Sequence, residues 1–124
     1  MAENARVADK ALHYYARFDE KLRERLRALI TDELIAEHAE NPLGFRGHHS
    51  PDLQFVLDYF RRAPQAGKYI IVANVPWQEY RIGVLSGARG EAPEVLEEPM
   101  FATEEEAIHG AFLARVRDLM DAGR

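Results

Sequence analysis

The sequence predicts an α+β fold: a helix-rich small domain with a two- or three-stranded antiparallel sheet and a C-terminal helix packed on it. Three observations carry this expectation. Apolar residues recur every three or four positions up to about residue 62 and again after about residue 103, but run unbroken or alternate between about 68 and 86. Two strand-like runs are separated by a short gap holding Pro76, which suits a turn and implies an antiparallel hairpin. Two helix-start signatures flank that hairpin, Ser50-Pro51-Asp52 and Thr103-Glu104-Glu105-Glu106. A hairpin alone is marginally stable in water, so the helices must cover it or a third strand must join it.

The first helix is expected from about Val7 to Ile30, with Leu12, Tyr15, Phe18, Leu22, Leu26, Leu29 and Ile30 at helical spacing. Unbroken, it would be about 36 Å long, which is long for a small domain. Either it packs along its own domain, or Tyr14, Tyr15 and Phe18 project and need another chain to cover them. Thr31 and Asp32 cap a second short helix that runs to about Ala39 and stops at Asn41-Pro42. Leu43 to His49 reads as a glycine-rich loop. Ser50 then caps a third helix, with Pro51 at its first position and Asp52 complementing the unpaired N–H groups. Leu53, Val56, Leu57 and Phe60 line one face of it, Phe55 and Tyr59 a second, and Pro64 and Gly67 end it.

In the hairpin, Tyr69-Ile70-Ile71-Val72-Ala73 is continuously apolar, and Tyr80-Arg81-Ile82-Gly83-Val84 alternates. Ser86 to Pro99, with Gly87, Gly90, Pro93 and several glutamates, reads as an exposed loop, and Pro99-Met100-Phe101 as a short third strand. Thr103 and Glu106 form a capping box for a last helix, with Ile108, Phe112, Val116, Leu119 and Met120 on one face. Residues 1–124 read as a single domain: a helical part over about 7–62, the hairpin over about 68–86 and the C-terminal helix over about 103–121. The expected core is Leu53, Val56, Leu57, Phe60, Ile70, Val72, Ile82, Val84, Ile108, Phe112 and Val116.

Composition narrows the function. With 47% hydrophobic and 30% charged residues, the chain has the make-up of a soluble globular protein. No apolar run approaches the roughly 18 residues of a membrane span, and the N-terminal residues lack the apolar core of a secretory signal. The absence of cysteine removes disulfide and thiolate chemistry and fits a cytoplasmic location. A net charge of -5 argues against nucleic acid, whose phosphates call for a basic patch. Arg17, Lys21, Arg23, Arg25 and Arg27 do cluster, but Asp19, Glu20 and Glu24 interleave with them, as on a solvated helix face.

No sequence motif carries catalysis. His38 has no second histidine four residues on, so the paired-histidine zinc motif is absent, and there is no nucleophile elbow or phosphate loop. His48 and His49 are the best chemical candidates, near Arg46 and Asp52. Adjacent histidines rarely share one metal, and a helix N-terminus disfavours their charged form, so a packing or partner-contact loop is the expected role. His13 and His109 lie on helices and are expected to be structural. Tyr14, Tyr15, Tyr59, Tyr69 and Tyr80 are expected in core or interface roles rather than as iron ligands.

The combination GFRGHHSPDLQFVLDYFRR, GKYIIV, WQEYRI and FATEEEAIHGAFLARVRDL resembles the small subunit of N,N-dimethylformamidase, from about Phe18 to near the C-terminus. The resemblance implies an accessory chain that lacks catalytic residues. Its partner would be a large subunit with a mononuclear iron bound by tyrosine and glutamate, which hydrolyses the amide of N,N-dimethylformamide to dimethylamine and formate. No catalytic, cofactor-binding or metal-binding residue carries over to a position here. The alternative is a stand-alone interaction domain of the same fold with a different partner. On either reading the partner surface is sought among arginine and aromatic residues, the common hot-spot types: Arg46, Tyr59, Arg62 and Trp77.

Overall fold

The computed structural model describes residues 19–64 and 67–122. Within them the order is α1, described over residues 19–29, α2 (Asp32–Glu40), α3 (Pro51–Arg61), β1 (Tyr69–Val75), β2 (Glu79–Val84), β3 (Glu94–Val95) and α4 (Glu104–Asp121). The three strands form one antiparallel sheet in the order β1-β2-β3, and α4 packs on it, so the α+β expectation is borne out. Tyr14, Tyr15 and Phe18, and with them the question of a projecting first helix, lie outside the described residues.

The caps follow the sequence. Thr31 Oγ1 accepts from Leu34 N at 3.2 Å, and Ser50 Oγ accepts from Leu53 N at 3.2 Å. Thr103 Oγ1 accepts from Glu106 N at 3.2 Å, while the Glu106 carboxylate reaches one residue further back than in the simple box and accepts from Ala102 N at 3.4 Å. The interleaved charges of α1 do pair, Arg23 with Asp19 and Glu20 at 3.3 and 2.6 Å, and Arg27 with Glu20 at 3.3 Å. Arg27 also donates from Nε to Leu119 O at 2.8 Å, which ties α1 to the C-terminal turn of α4.

The core is more helical than expected. Leu26, Ile30, Leu34, Leu53, Val56, Phe60, Phe112, Val116 and Leu119 make up its main cluster. Ile70, Val72 and Val84 are only half-buried, as are Leu57 and Ile108. The register explains the sheet residues. Tyr69 stands opposite Val84, Ile71 opposite Ile82 and Ala73 opposite Tyr80, and directly opposed residues share a face. That face meets α4, through the bonds from Arg115 Nη2 to Tyr69 O (2.6 Å) and from Tyr69 OH to Asp118 (2.5 Å). Ile70 and Val72 point the other way. There they lean across Gly83, where an added Cβ would lie 3.0 Å from Val72 Cγ2 and 3.2 Å from Ile70 Cγ1.

The third strand also differs from expectation. It is Glu94–Val95, inside the stretch read as a loop, and Leu96 N continues it to Ile82 O at 2.9 Å. Phe101 makes only a single bridge, exchanging two 2.8 Å hydrogen bonds with Tyr80. A two-residue strand with both side chains exposed carries no hydrophobic alternation, so the pattern could not announce it.

Candidate functional site

Two regions concentrate chemically capable side chains: a cleft over a buried histidine pair, and the hairpin turn beside the start of α4.

The cleft forms where α2, α3 and α4 meet the 41–49 loop, and its volume is about 610 Å³. At its base His38 on α2 is 2% exposed, and its Nδ1 lies 2.8 Å from Nδ1 of His109 on α4. One ring donates and the other accepts, so the two neutral imidazoles hold complementary tautomers. The His38 ring stacks on Phe112 with centroids 4.0 Å apart. Burial, then the neighbouring His109, His49 and Arg115, lower the His38 pKa to about 4, against a smaller opposing effect from Glu37. Burial lowers His109 as well, so the pair is neutral at pH 7.

Asn41 organises the loop above it. Its Nδ2 donates to Gly47 O at 2.9 Å, and its Oδ1 accepts from Arg46 N at 3.0 Å. His49 Nε2 lies 2.7 Å from the Asn41 carbonyl and donates to it. Gly44, at φ 78°, brings the loop against the His49 ring. Glu37 fastens the loop's end to α2, accepting from both N and Oγ of Ser50 at 2.7 Å. Burial pushes the Glu37 pKa up, but those two hydrogen bonds and the nearby histidines outweigh it and hold the carboxyl below its usual range.

The sequence singled out His48 and His49, and both line this cleft. His49, however, is committed to the loop backbone, and the tighter histidine chemistry belongs to His38 and His109. A signal for that pair existed: His38 lies four residues after the buried Leu34, and His109 three before the buried Phe112. What spacing could not show is that the two buried faces meet. The described residues lining the cleft include no serine, threonine, cysteine or carboxylate; its polar side chains are histidine, lysine, arginine and glutamine. Among the described residues no group of three or more histidine, aspartate or glutamate side chains could hold a metal ion. The three described candidate tyrosines are scattered: Tyr59 OH donates to Asp19 (3.3 Å), Tyr69 OH to Asp118, and Tyr80 OH accepts from Trp77 N (3.2 Å).

The four expected contact residues fall into two groups. Trp77, at the hairpin turn, is 87% exposed and has φ 69°, a left-handed conformation that a bulky residue rarely takes. It borders a shallow depression with Leu43, Tyr80, Glu104 and Glu105. Arg46 reaches the same spot, pairing with Glu105 at 3.1 Å and donating to Glu40 O, and the adjacent Phe45 is 83% exposed. Tyr59 and Arg62 belong elsewhere. Tyr59 packs against the core and lines a groove with Asp118 and Leu119, near the far end of α4. Arg62 is exposed and donates from Nε to Asp58 O at 3.2 Å.

The described residues form a small α+β fold that carries a neutral histidine pair beneath a basic cleft and an exposed tryptophan at the hairpin turn. Comparison with known proteins gives the family. The model of the N,N-dimethylformamidase alpha subunit family matches residues 13–124, and the chain belongs to that family. It is 43% identical over 113 residues to the N,N-dimethylformamidase alpha subunit of Alcaligenes sp, covering 90% of this chain and 84% of that one. It is 44% identical over 113 residues to the subunit of the same name from Paracoccus aminophilus, covering 90% of this chain and 79% of that one.

Proposed function

We propose that this chain is the non-catalytic small subunit of an N,N-dimethylformamidase-like amidohydrolase. The hydrolysis of N,N-dimethylformamide to dimethylamine and formate would be carried by a large subunit that holds a mononuclear iron. Family membership supports the assembly, since the relatives are named as alpha subunits. The observation that carries the accessory role is Trp77, 87% exposed and held at φ 69°, at the start of α4 near Arg46. Strained backbone persists where function requires the conformation, and exposed tryptophan beside arginine is the composition of an interface hot spot. Tyr59, Tyr69 and Tyr80, which each bond to a different partner, support placing the iron on the large subunit. Arg46, Tyr59, Arg62 and Trp77 are the proposed contact residues, with Arg46, Trp77 and Phe45 forming one surface at the start of α4.

Co-expression with an N,N-dimethylformamidase large subunit tests this. A tagged wild-type chain is expected to co-purify with the large subunit, and the complex to release dimethylamine. The chain alone is expected to release none. A double variant, Trp77→Ala with Arg46→Ala, should keep the helical circular dichroism of the free chain yet lose the partner. Normal assembly of that variant would place the interface elsewhere, and turnover by the purified chain alone would end the accessory reading.

A further inference from the structure

The cleft over the histidine pair carries charge of one sign. Arg61, Lys68 and Arg115 line it, and no described lining residue is acidic. Arg115 is half-buried on α4, one turn from Phe112, and its side chain donates to a backbone oxygen, Tyr69 O, at 2.6 Å. Neither Arg115 nor Lys68 forms an ion pair among the described residues. The acids nearby are otherwise engaged: Asp118 accepts from Tyr69 OH, Glu37 accepts both bonds from Ser50, and Asp58 accepts from Gln54 Nε2 at 2.9 Å and lies 3.7 Å from Arg61. Burial lowers the pKa of Arg115, the sign of a guanidinium taken from water without a counter-charge. Such a group is costly unless an anion joins it.

Beside Gln54, His38 and His49, the cleft has an apolar wall, with the half-buried Leu57 and Ile108 along it. Its volume of about 610 Å³ is that of a small-molecule site, typically about 300–1,000 Å³. A guanidinium offers two parallel N–H groups that match the two oxygens of a carboxylate, and an ammonium adds a point charge.

We propose that this cleft binds a small organic anion, a carboxylate with a compact apolar body, its oxygens on Arg115 and Lys68 and its body against Leu57 and Ile108. The site is distinct from the surface of Trp77 and Arg46, and binding to the free chain does not depend on the assembly proposed above.

Calorimetric titration of the full-length chain with sodium benzoate tests the proposal, with benzamide as the neutral isostere and sodium phosphate at matched ionic strength. Benzoate is expected to bind saturably with a Kd of about 1 mM or tighter, and benzamide and phosphate about tenfold more weakly or not at all. Arg115→Gln and, separately, Lys68→Gln should each weaken benzoate about tenfold, while Arg89→Gln, exposed and outside the cleft, leaves it unchanged. Arg115 and Lys68 also hold the Tyr69 and Arg61 carbonyls, at 2.6 and 3.1 Å, so a thermal melt of each variant separates lost binding from lost packing. The proposal is overturned if benzoate shows no saturation, if benzamide or phosphate binds equally well, or if Lys68→Gln binds like the wild type. A final arm rests on the proposed assembly: benzoate is expected to bind the purified complex too. Loss of binding there alone would assign the cleft to a carboxylate of the partner and overturn the free-ligand reading.

Discussion

Among the described residues His38 is a titratable side chain buried in the core, and this has a consequence for acid stability. Its folded pKa, about 4, is below the value of about 6.5 of an unfolded chain. As pH falls through 6.5 the unfolded chain takes up the proton first, so stability is full above about pH 6.5 and declines toward pH 4. The slope is about 1.4 kcal/mol per pH unit, and the total about 3 kcal/mol. His109, also lowered, adds to the decline in the same direction. The carboxylates with lowered pKa, Glu20, Glu37 and Glu79, lose their contributions only at lower pH, below their usual value of 4.5. Urea unfolding between pH 6.5 and 5 therefore isolates the histidines. A flat profile over that range would show that the pair is solvated rather than buried. Trp77 offers a second test at this scale. Glycine tolerates its φ of 69° without strain, and the ring is 87% exposed, so Trp77→Gly should stabilise the free chain by about 1 kcal/mol. A loss of stability instead would mean that the ring packs on its own hairpin.

Among the elements, α4 joins the two layers, with helices on one side and the sheet on the other. Phe112, 1% exposed, touches Phe60 edge-on and stacks on His38, so Phe112→Ala should cost about 3–5 kcal/mol in chemical unfolding. A cost below about 1 kcal/mol would contradict this packing. The contact between α4 and the segment beside β2 is set by Gly110. A Cβ there would lie 2.3 Å from Phe101 Cζ, well inside van der Waals contact, and an aromatic ring yields little. Alanine favours a helix over glycine by about 1 kcal/mol, and the clash costs about 1–3 kcal/mol, so Gly110→Ala should be net destabilising. Combining it with Phe101→Leu should recover most of the loss. If Gly110→Ala alone raises the melting temperature, Phe101 does not sit against α4 as described.

For the whole molecule, the proposed role is that of a chain that docks on a large subunit. Its two candidate contact groups lie toward opposite ends of α4, an 18-residue helix about 27 Å long. A stable interface buries about 1,200–2,000 Å² in total, which the surface of Trp77, Phe45 and Arg46 can anchor without Tyr59. Tyr59→Ala is therefore expected to lower the stability of the free chain through lost packing, and Trp77→Ala to weaken assembly without unfolding. Thermal melts and co-purification of the two single variants separate these effects, and the reverse assignment would move the interface to the far end of α4. Among the described residues no helix is long and apolar enough to cross a membrane.

What could be read from the sequence was whatever local physics decides. Caps at Thr31, Ser50 and Thr103 satisfy N–H groups within three residues of themselves, and helix and strand periods are local too, so the α+β class and its principal elements were legible. The family resemblance was legible for a different reason, since it rests on residue strings rather than on geometry. Tertiary structure decided everything that depends on which faces meet. Strand register turned Ile70 and Val72 away from α4, and backbone pairing, indifferent to side-chain pattern, placed β3 at Glu94–Val95. Packing brought His38 to within 2.8 Å of His109, 71 positions away, and set Arg115 over a cleft lined by residues of α2, α3 and the loop. Contacts so distant in sequence leave no periodic trace, because they form only once the hydrophobic faces of separate elements have found one another.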